Sequence, residues 1–302
     1  MATDQSAGTV CRSPRFVAAG AAVIVHLLLM AWKGHLGPQH AGLLLLVWAC
    51  LSRREGVRHF LRDWWPMILW WVVYDGQRWL EPWLLGRVDV QGPYSWEEGL
   101  FLAPNRKIWP FFFADLTAGS DGFSGIRFFR ALCSGVYLSH IWGVPALMIL
   151  IWVRHREGLF RRMVWSFTAI HLLTVVAWML YPSAPPWWVY ENGFSTPTLE
   201  HSFPAAAAHG RTLGVLFNLS ANRFAAVPSL HGAYPILLTL VLAAEGASGR
   251  YLVLAGVYAG AMWLACVFLN QHYVVDLLLG AAVVPAALAL GSGFMRRRDR
   301  NA

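Results

Sequence analysis

Two segments near the C-terminal end of the chain carry side chains whose types and spacing could do chemistry. In the first, His272 and Asp276 are four residues apart, which on a helix places both side chains on one face, one turn apart. A carboxylate there can hold one tautomer of the imidazole and stabilise its cationic form, as a histidine base or nucleophile requires. A structural His–Asp pair or two metal ligands would share this spacing, but no His-x-x-x-His or Glu-x-x-His pattern accompanies it.

The second segment brings another histidine, His231, to the start of the preceding apolar run. Pro228 suits the first turn of a helix. Ser229 offers a hydroxyl and a free backbone amide at the positive end of the helix dipole, which favours an anion and above all phosphate. With an Asp-supported histidine, this set predicts phosphoryl transfer, in which one His attacks, the other protonates the leaving oxygen and cations hold the equatorial oxygens. A histidine that only begins an interfacial helix is the alternative.

The composition predicts a membrane protein. Of the 302 residues, 57% are hydrophobic and 13% are charged, whereas soluble domains carry about 25% charged residues. We therefore expect an all-α integral membrane protein built as one helical bundle. Basic residues in short blocks between apolar runs produce the net charge of +8, which favours a role in topology over nucleic-acid binding. The four cysteines are far apart and predict no disulfide framework.

Apolar runs predict about eight transmembrane helices. Residues 1–63 hold two N-terminal helices and a basic cytoplasmic loop, residues 64–292 hold the other six helices, and residues 293–302 form a basic cytoplasmic tail. The second run is short for a bilayer, which needs about 20 residues. The predicted spans are 15–33, 38–52, 64–80, 127–153, 161–181, 227–245, 251–270 and 272–292.

The distribution of Lys and Arg predicts that both termini are cytoplasmic. With that orientation, 15 of the 24 basic residues lie in short inside segments. Eight of the other nine lie in or beside the long loops 81–126 and 182–226, where charge has little orienting power. His231, His272 and Asp276 then gather at the outer face of the membrane, which is extracellular, periplasmic or luminal. Such convergence is hard to explain as packing.

The two segments resemble motifs of the type 2 phosphatidic acid phosphatase superfamily. Pro228-Ser229-Leu230-His231 is followed about forty residues later by His272-Tyr273-x-x-Asp276. The Pro-Ser-Leu-His form, with an upstream Tyr-Pro-x-x-Pro-Pro-Trp element from Tyr181 to Trp187, is similar to the inositol phosphorylceramide synthase (inositolphosphotransferase) branch. The resemblance covers spans three to eight, and it implies that residues 64–292 are the superfamily's six-helix catalytic core.

The resemblance implies a role for each residue of the two motifs. His272 would be the nucleophile that forms a phosphohistidine, Asp276 would orient it, and His231 would be the general acid. Tyr273, beside the nucleophile, is a further supporting candidate. The implied reaction is metal-independent, uses no cofactor and acts on a lipid phosphate at the outer leaflet.

The chain departs from the superfamily where phosphate-binding cations are expected. It has no Lys-x6-Arg-Pro element, and Ala265 and Cys266 replace the Ser-Arg that precedes the catalytic histidine. Arg223 and Arg78 are the leading substitutes, with snorkelling to the membrane surface as the alternative. Asp75 could be the structural partner of Arg78 or could accept a hydrogen bond from a substrate hydroxyl. His140 lies mid-span, where we expect a packed histidine bonded to a neighbouring helix.

Three functional classes fit these residues. A lipid phosphotransferase would pass a phospho-headgroup to an alcohol, and a lipid or polyprenyl-phosphate phosphatase would use water instead. A transporter with a His–Asp proton relay would need polar residues at mid-membrane along several helices and a repeat between halves. Here the polar residues gather at one face, and no repeat is visible. We expect a phosphorylated lipid substrate, an alcohol or water acceptor and membrane lipids as partners, and no nucleic acid. The synthase-like motif and the missing phosphatase cations favour the phosphotransferase, while the oligomeric state stays open.

Overall fold

A computed structural model describes residues 56–118, 124–198 and 221–300, together with the isolated residues 25 and 28. The chain divides into two compact units, residues 1–68 and 69–302. Apart from those two isolated residues, the first two predicted spans lie outside the described residues. The proposed boundaries at residues 63 and 292 remain predictions.

Helices are the only regular secondary structure in the described ranges, where β-pairing is limited to isolated bridges. This confirms the predicted all-α class. A 3₁₀ turn, Gln77–Trp79, follows the first helix. We number the helices α1 Gly56–Gly76, α2 Glu81–Leu85, α3 Gly92–Leu100, α4 Trp109–Thr117, α5 Ser124–Val153, α6 Glu157–Leu180, α7 Pro186–Asn192, α8 Leu230–Ala244, α9 Gly249–Phe268 and α10 Val274–Arg300.

Three of these helices are long and apolar enough to cross a membrane, namely Glu157–Leu180, Gly249–Phe268 and the Val274–Met295 part of α10. Helix α5 supplies a fourth if its two halves, bent by 50°, count as one span. Pro145 lies in α5 near the bend, and proline interrupts the helical hydrogen-bond ladder. These helices support an integral membrane protein, while the predicted number of eight spans remains a prediction.

Helix α8 is shorter than the predicted span 227–245. Its 15 residues rise about 22 Å, against a hydrocarbon core of about 30 Å. The difference arises at its start, because Ser229 is the N-cap and its hydroxyl accepts the Gly232 amide at 3.3 Å. Pro228 therefore precedes the cap and does not occupy the predicted first turn.

Glycines bring α8 and α10 unusually close together. A Cβ on Gly280 would lie 2.0 Å from the carbonyl oxygen of Ser229, and one on Gly232 would lie 2.5 Å from that of Leu277. Real Cβ atoms do not approach backbone so closely, so larger residues would force the helices apart. The backbones that carry the two sequence motifs are thereby in direct contact.

The Tyr-Pro element after α6 holds together two segments that surround the start of α8. The Tyr181 hydroxyl donates to Asp89 Oδ2 at 2.6 Å, and the Asp89 amide donates to the Pro182 carbonyl at 2.9 Å. The hydroxyl of Ser183, which is fully buried, accepts the Val227 amide at 3.2 Å. Parallel bridges join Ser183 both to Asp89 and to Ala225. The element thus fixes the loop that leads into Ser229 and His231.

Candidate active site

His272 lies in the turn between α9 and α10, whereas the spacing argument placed it on a helix. Helix α9 ends in a Schellman motif, in which Gln271 N donates to Cys266 O at 2.9 Å and Asn270 N to Val267 O at 3.1 Å. Asn270 takes the left-handed conformation this motif requires, with φ of 59°. The shared helical face is therefore wrong, although the contact with Asp276 that it predicted exists.

Asp276 makes that contact from the first turn of α10. Its Oδ2 lies 3.3 Å from His272 Nδ1 and accepts the Tyr273 amide at 3.0 Å. Because α10 begins at Val274, Asp276 is the third helical residue, and it reaches back to the residue before the helix as the acid of a capping box does. The carboxylate is fully buried. It serves both as the helix cap and as the partner of the imidazole.

The two predicted catalytic histidines are in contact. His231 Nδ1 lies 3.2 Å from His272 Nε2. An ionised carboxylate can only accept hydrogen bonds, so contact with Asp276 favours the His272 tautomer with its proton on Nδ1. The lone pair on Nε2 then faces His231. A nucleophilic imidazole needs a free lone pair of this kind, and a general acid has to lie close to it.

Helix α5 supplies two neighbours of His231 that the sequence did not assign to the site. The Tyr137 ring stacks on His231 with centroids 4.3 Å apart, and the His140 ring meets it edge to face at 3.9 Å. His140 Nδ1 lies 2.5 Å from the Tyr137 carbonyl oxygen of its own helix. His140 is thus packed, as predicted, but it contacts a site residue, and the predicted hydrogen bond to a neighbouring helix is wrong, because the bond goes to its own helix. The apolar pattern of α5 gave no signal of this, because the contact depends on tertiary packing.

Ser229 differs from its predicted form. Its amide is not free, because it donates to the backbone carbonyl of Asp276 at 3.1 Å. Its hydroxyl caps α8, and the side chain is fully buried. The close approach at Gly280 explains the change, since it brings the start of α8 against the first turns of α10. The residue therefore joins the two motifs through the backbone.

The predicted phosphate-binding arginines lie close to each other. Arg78 Nε pairs with Asp75 Oδ1 at 3.0 Å, and the two side chains are 11% and 2% exposed. Burial lowers the pKa of Arg223, an effect that nearby Glu81 opposes. Burial also raises the pKa of Glu81, against the influence of Arg223 and Arg78. A hydrogen bond of 3.4 Å from Asn222 to Gln77 links the Arg223 loop to the turn that carries Arg78.

Tyr273 and Glu97 approach the site from the other side of the α10 start. The Tyr273 ring is fully buried beside Ile108 and Val275, so its amide rather than its hydroxyl supports Asp276. Glu97, on α3, accepts the Val275 amide at 3.0 Å and has no exposed surface. Burial raises the pKa of Glu97 to about 7, and the Asp276 carboxylate adds to the shift. No sequence pattern singled out Glu97.

Within the described ranges, no cluster of three His, Cys, Asp or Glu side chains could hold a metal ion. Metal independence itself remains a prediction. The donor set instead consists of two imidazoles, one supported by a carboxylate. Such a set can attack a phosphorus atom and exchange a proton with the leaving or entering oxygen.

Comparison with known proteins agrees with the chemistry of this site. Residues 112–290 match the PAP2 superfamily. A phosphoinositol dihydroceramide synthase of Bacteroides thetaiotaomicron is 29% identical over 230 residues, and the match covers 71% of this chain and 71% of the relative. An inositol phosphorylceramide synthase of Candida albicans is 32% identical over 123 residues, and the match covers 38% of this chain and 26% of the relative. No solved structure matches the chain.

The superfamily match covers more than half of the chain and contains His231, His272 and Asp276. Both relatives are named as synthases of the branch that the Pro-Ser-Leu-His motif resembled. The chain belongs to the PAP2 superfamily, in its inositol phosphorylceramide synthase-like branch, and is an integral membrane enzyme of the lipid phosphotransferase and phosphatase class.

Proposed function

We propose that this enzyme transfers a phospho-headgroup from a lipid donor to an alcohol through a phosphohistidine on His272. The single observation that carries the proposal is the relay of contacts from Asp276 to His272 at 3.3 Å and from His272 to His231 at 3.2 Å. These contacts support the role proposed for each group. The carboxylate faces one ring nitrogen of His272, and the second histidine faces the other.

In the first step, His272 Nε2 attacks the donor phosphorus and the bond from phosphorus to the lipid oxygen breaks. His231, protonated at this stage, gives its proton to the leaving oxygen, which departs as a lipid alcohol. Asp276 stabilises the positive charge that develops on the His272 ring. Attack requires the phosphorus about 3–3.5 Å from Nε2, where His231 Nδ1 now lies, so the rings separate when phosphate binds.

In the second step, the acceptor hydroxyl gives its proton to His231 and its oxygen attacks the phosphorus. The bond between Nε2 and phosphorus breaks, and both histidines return to their starting protonation. Water in place of the alcohol would give hydrolysis by the same residues. Transfer and hydrolysis therefore differ in the acceptor and not in the catalytic groups.

The names of the relatives suggest which groups are moved. One relative is named for phosphoinositol and dihydroceramide, and the other for inositol phosphorylceramide. We therefore assign a phosphoinositol-bearing lipid as donor and a ceramide-type alcohol as acceptor. The proposed site lies at the outer face of the membrane, with both termini cytoplasmic, as the distribution of basic residues predicts.

Arg78 and Arg223 are the proposed cations for the phosphate. Both belong to the cluster that includes Asp75 and Glu81, and Arg223 precedes Ser229 on a loop held by Ser183 and the Tyr-Pro element. The Ser229 hydroxyl is a weaker contributor than predicted, because it already accepts the Gly232 amide. Arginine suits this role because its planar guanidinium can bind two phosphate oxygens at once.

The test is an assay of purified protein in detergent with a headgroup-labelled phosphoinositol lipid, with and without dihydroceramide, and with metal chelated throughout. Transfer of label to dihydroceramide is expected, together with an acid-labile phosphoprotein that is lost in His272→Ala. Free inositol phosphate as the sole product with every acceptor would establish the hydrolase instead. Activity that survives His272→Ala would overturn the nucleophile, and transfer that appears only when divalent cations are added back in excess would overturn metal independence.

A further inference from the structure

Glu97 is a buried carboxylate that the mechanism above does not use. It lies in α3, within the predicted loop 81–126, yet its side chain has no exposed surface. Glutamate is almost never fully buried unless it is paired. Its Oε2 accepts the amide of Val275, which is 178 residues further along the chain, at 3.0 Å. Burial of an ionisable side chain costs free energy, so the position of Glu97 requires an explanation.

The amide that Glu97 accepts belongs to the first turn of α10. The first four amides of any helix lack partners within the helix. Here Asp276 accepts the Tyr273 amide and Glu97 accepts that of Val275, so two carboxylates hold this turn at the positive end of the helix dipole. Asp276 is also the residue that faces His272 Nδ1. The position of the turn therefore sets the geometry of the proposed nucleophile.

The helix that carries Glu97 is itself fixed. Asp89 Oδ1 accepts the Gly92 amide at 2.8 Å, and Asp89 Oδ2 accepts the Tyr181 hydroxyl at 2.6 Å. A Cβ on Gly92 would lie 2.3 Å from Asp89 Oδ2, so the start of α3 packs closely against the Asp89 side chain. Glu97 thus connects α3, whose start is held by Asp89, to the first turn of α10.

Packing alone does not explain a glutamate at this position. The cluster beside it consists of Ile108, Tyr273 and Val275, with Phe101 and Phe111 against it, and an apolar side chain would suit such surroundings. Among the described residues, the second carboxylate oxygen, Oε1, has no hydrogen-bond partner. Burial and the nearby Asp276 both disfavour the charge, as the raised pKa of Glu97 reflects. What the carboxylate does provide is an acceptor for the α10 amide.

We propose that Glu97 is a positioning residue, whose carboxylate holds the first turn of α10 so that Asp276 keeps His272 oriented for attack. The inference rests on the proposed function in one respect, because its kinetic test measures the proposed transfer reaction. Glu97 touches neither histidine, so its effect passes through Val275 and Asp276. Its loss should slow the chemical step without weakening binding of the lipid.

The test compares Glu97→Ala, Glu97→Asp and Glu97→Gln with the matched control Glu98→Gln, an exposed neighbour on the same helix. Glutamine keeps an oxygen that can accept the Val275 amide, whereas aspartate is one methylene shorter and alanine has no acceptor. We expect kcat to fall about 10- to 100-fold in Glu97→Ala and Glu97→Asp with KM unchanged. Glu97→Gln should stay within about threefold of the wild-type kcat, and Glu98→Gln should match wild type.

Amide hydrogen exchange over residues 270–280 supplies a readout that needs no substrate. Exchange should be faster in Glu97→Ala and Glu97→Asp, and unchanged in Glu97→Gln. The proposal is overturned if Glu97→Asp has the wild-type kcat and exchange, or if Glu97→Gln is as impaired as Glu97→Asp. Should Glu97→Ala fail to fold, Glu97→Asp and Glu97→Gln still decide the matter. Should the wild-type enzyme transfer nothing, the proposed reaction fails, while hydrogen exchange still tests Glu97.

Discussion

The backbone carbonyl of Asp276 accepts a hydrogen bond from the amide of Ser229 at 3.1 Å. Asp276 therefore has two roles. Its side chain faces His272, and its backbone holds Ser229, the N-cap of the helix that carries His231. The register between the two histidines rests on this backbone contact and on the absence of side chains at Gly232 and Gly280. Substitution of the Asp276 side chain leaves the backbone contact available.

For this reason, Asp276→Asn should fold and still lose activity. The amide can hold the Tyr273 N–H, but it does not stabilise a cationic His272 ring and can favour the wrong tautomer. We expect kcat to fall by up to about 10⁴-fold, the loss that the equivalent change causes in a Ser-His-Asp triad, with little change in KM. Kinetics together with thermal unfolding in detergent would check this. Wild-type kcat in a folded Asp276→Asn protein would contradict the assigned role.

Gly280→Ala should damage both stability and activity. The new Cβ would meet the Ser229 carbonyl oxygen at 2.0 Å, and backbone cannot move aside as a flexible side chain can. Overpacking of this kind costs about 1–3 kcal/mol, and here the displaced atoms carry the site. The matched control is Gly256→Ala in α9, where no atom lies within 4 Å of the new Cβ. Alanine there should be neutral or stabilising, since it forms helix better than glycine by about 1 kcal/mol.

His231→Gln should be rescued by a good leaving group. If His231 protonates the departing lipid oxygen, its loss should cost about 10²- to 10⁴-fold with a natural lipid donor. An ester with an acidic phenol as leaving group needs no such proton, so the first step should proceed close to the wild-type rate. Because His231 also accepts the proton of the acceptor, phosphohistidine should accumulate in this variant. A penalty that is equal for both kinds of donor would argue against general acid catalysis.

Arg78 requires a paired substitution, because its loss has two consequences. It forms a salt bridge with Asp75, which is 2% exposed, and removal of one partner of a buried pair costs about 3–5 kcal/mol. Arg78→Gln alone would therefore lose activity whatever its role. In the double variant Arg78→Gln with Asp75→Asn, stability should recover, while KM for the lipid donor should rise at least about tenfold. Recovery of both stability and KM would show that Arg78 is structural only.

The burial of Glu97 predicts a specific dependence of stability on pH. Its pKa is raised from an ordinary 4.5 to about 7, chiefly by burial, with Asp276 adding to the shift and the Val275 and Val274 amides opposing it. The folded protein therefore holds this proton more tightly than the unfolded chain. Its stabilising contribution is complete below pH 4.5 and is lost as the pH rises to about 7.

The comparison of wild type with Glu97→Gln isolates this effect. From pH 5 to 7.5, the stability of the wild type should fall relative to that of Glu97→Gln, by at most about 3 kcal/mol. Thermal unfolding in detergent at several pH values would measure the difference as a change in melting temperature. A difference between the two proteins that does not vary with pH would contradict the raised pKa.

The sequence by itself determined the class of the protein and selected the residues of the proposed site. A chain with 57% hydrophobic and 13% charged residues can satisfy its backbone in a membrane only as helices or a closed barrel. His231, His272 and Asp276 could be selected because their types and spacing are local features. The contact between His272 and Asp276 followed from that spacing, even though the helix that was expected to produce it begins only at Val274.

Only the tertiary structure decided what surrounds those residues. The Ser229 amide, predicted to be free, is taken by Asp276, and the Tyr137 and His140 rings enclose His231 from another helix. Glu97 reaches Val275 across 178 residues, and no local pattern encodes such a contact. Spacing along a chain fixes which neighbours share a turn, whereas partners far apart in sequence meet only where helix packing brings them together. Here that packing depends on close backbone approach at glycines, which becomes visible once the fold is known.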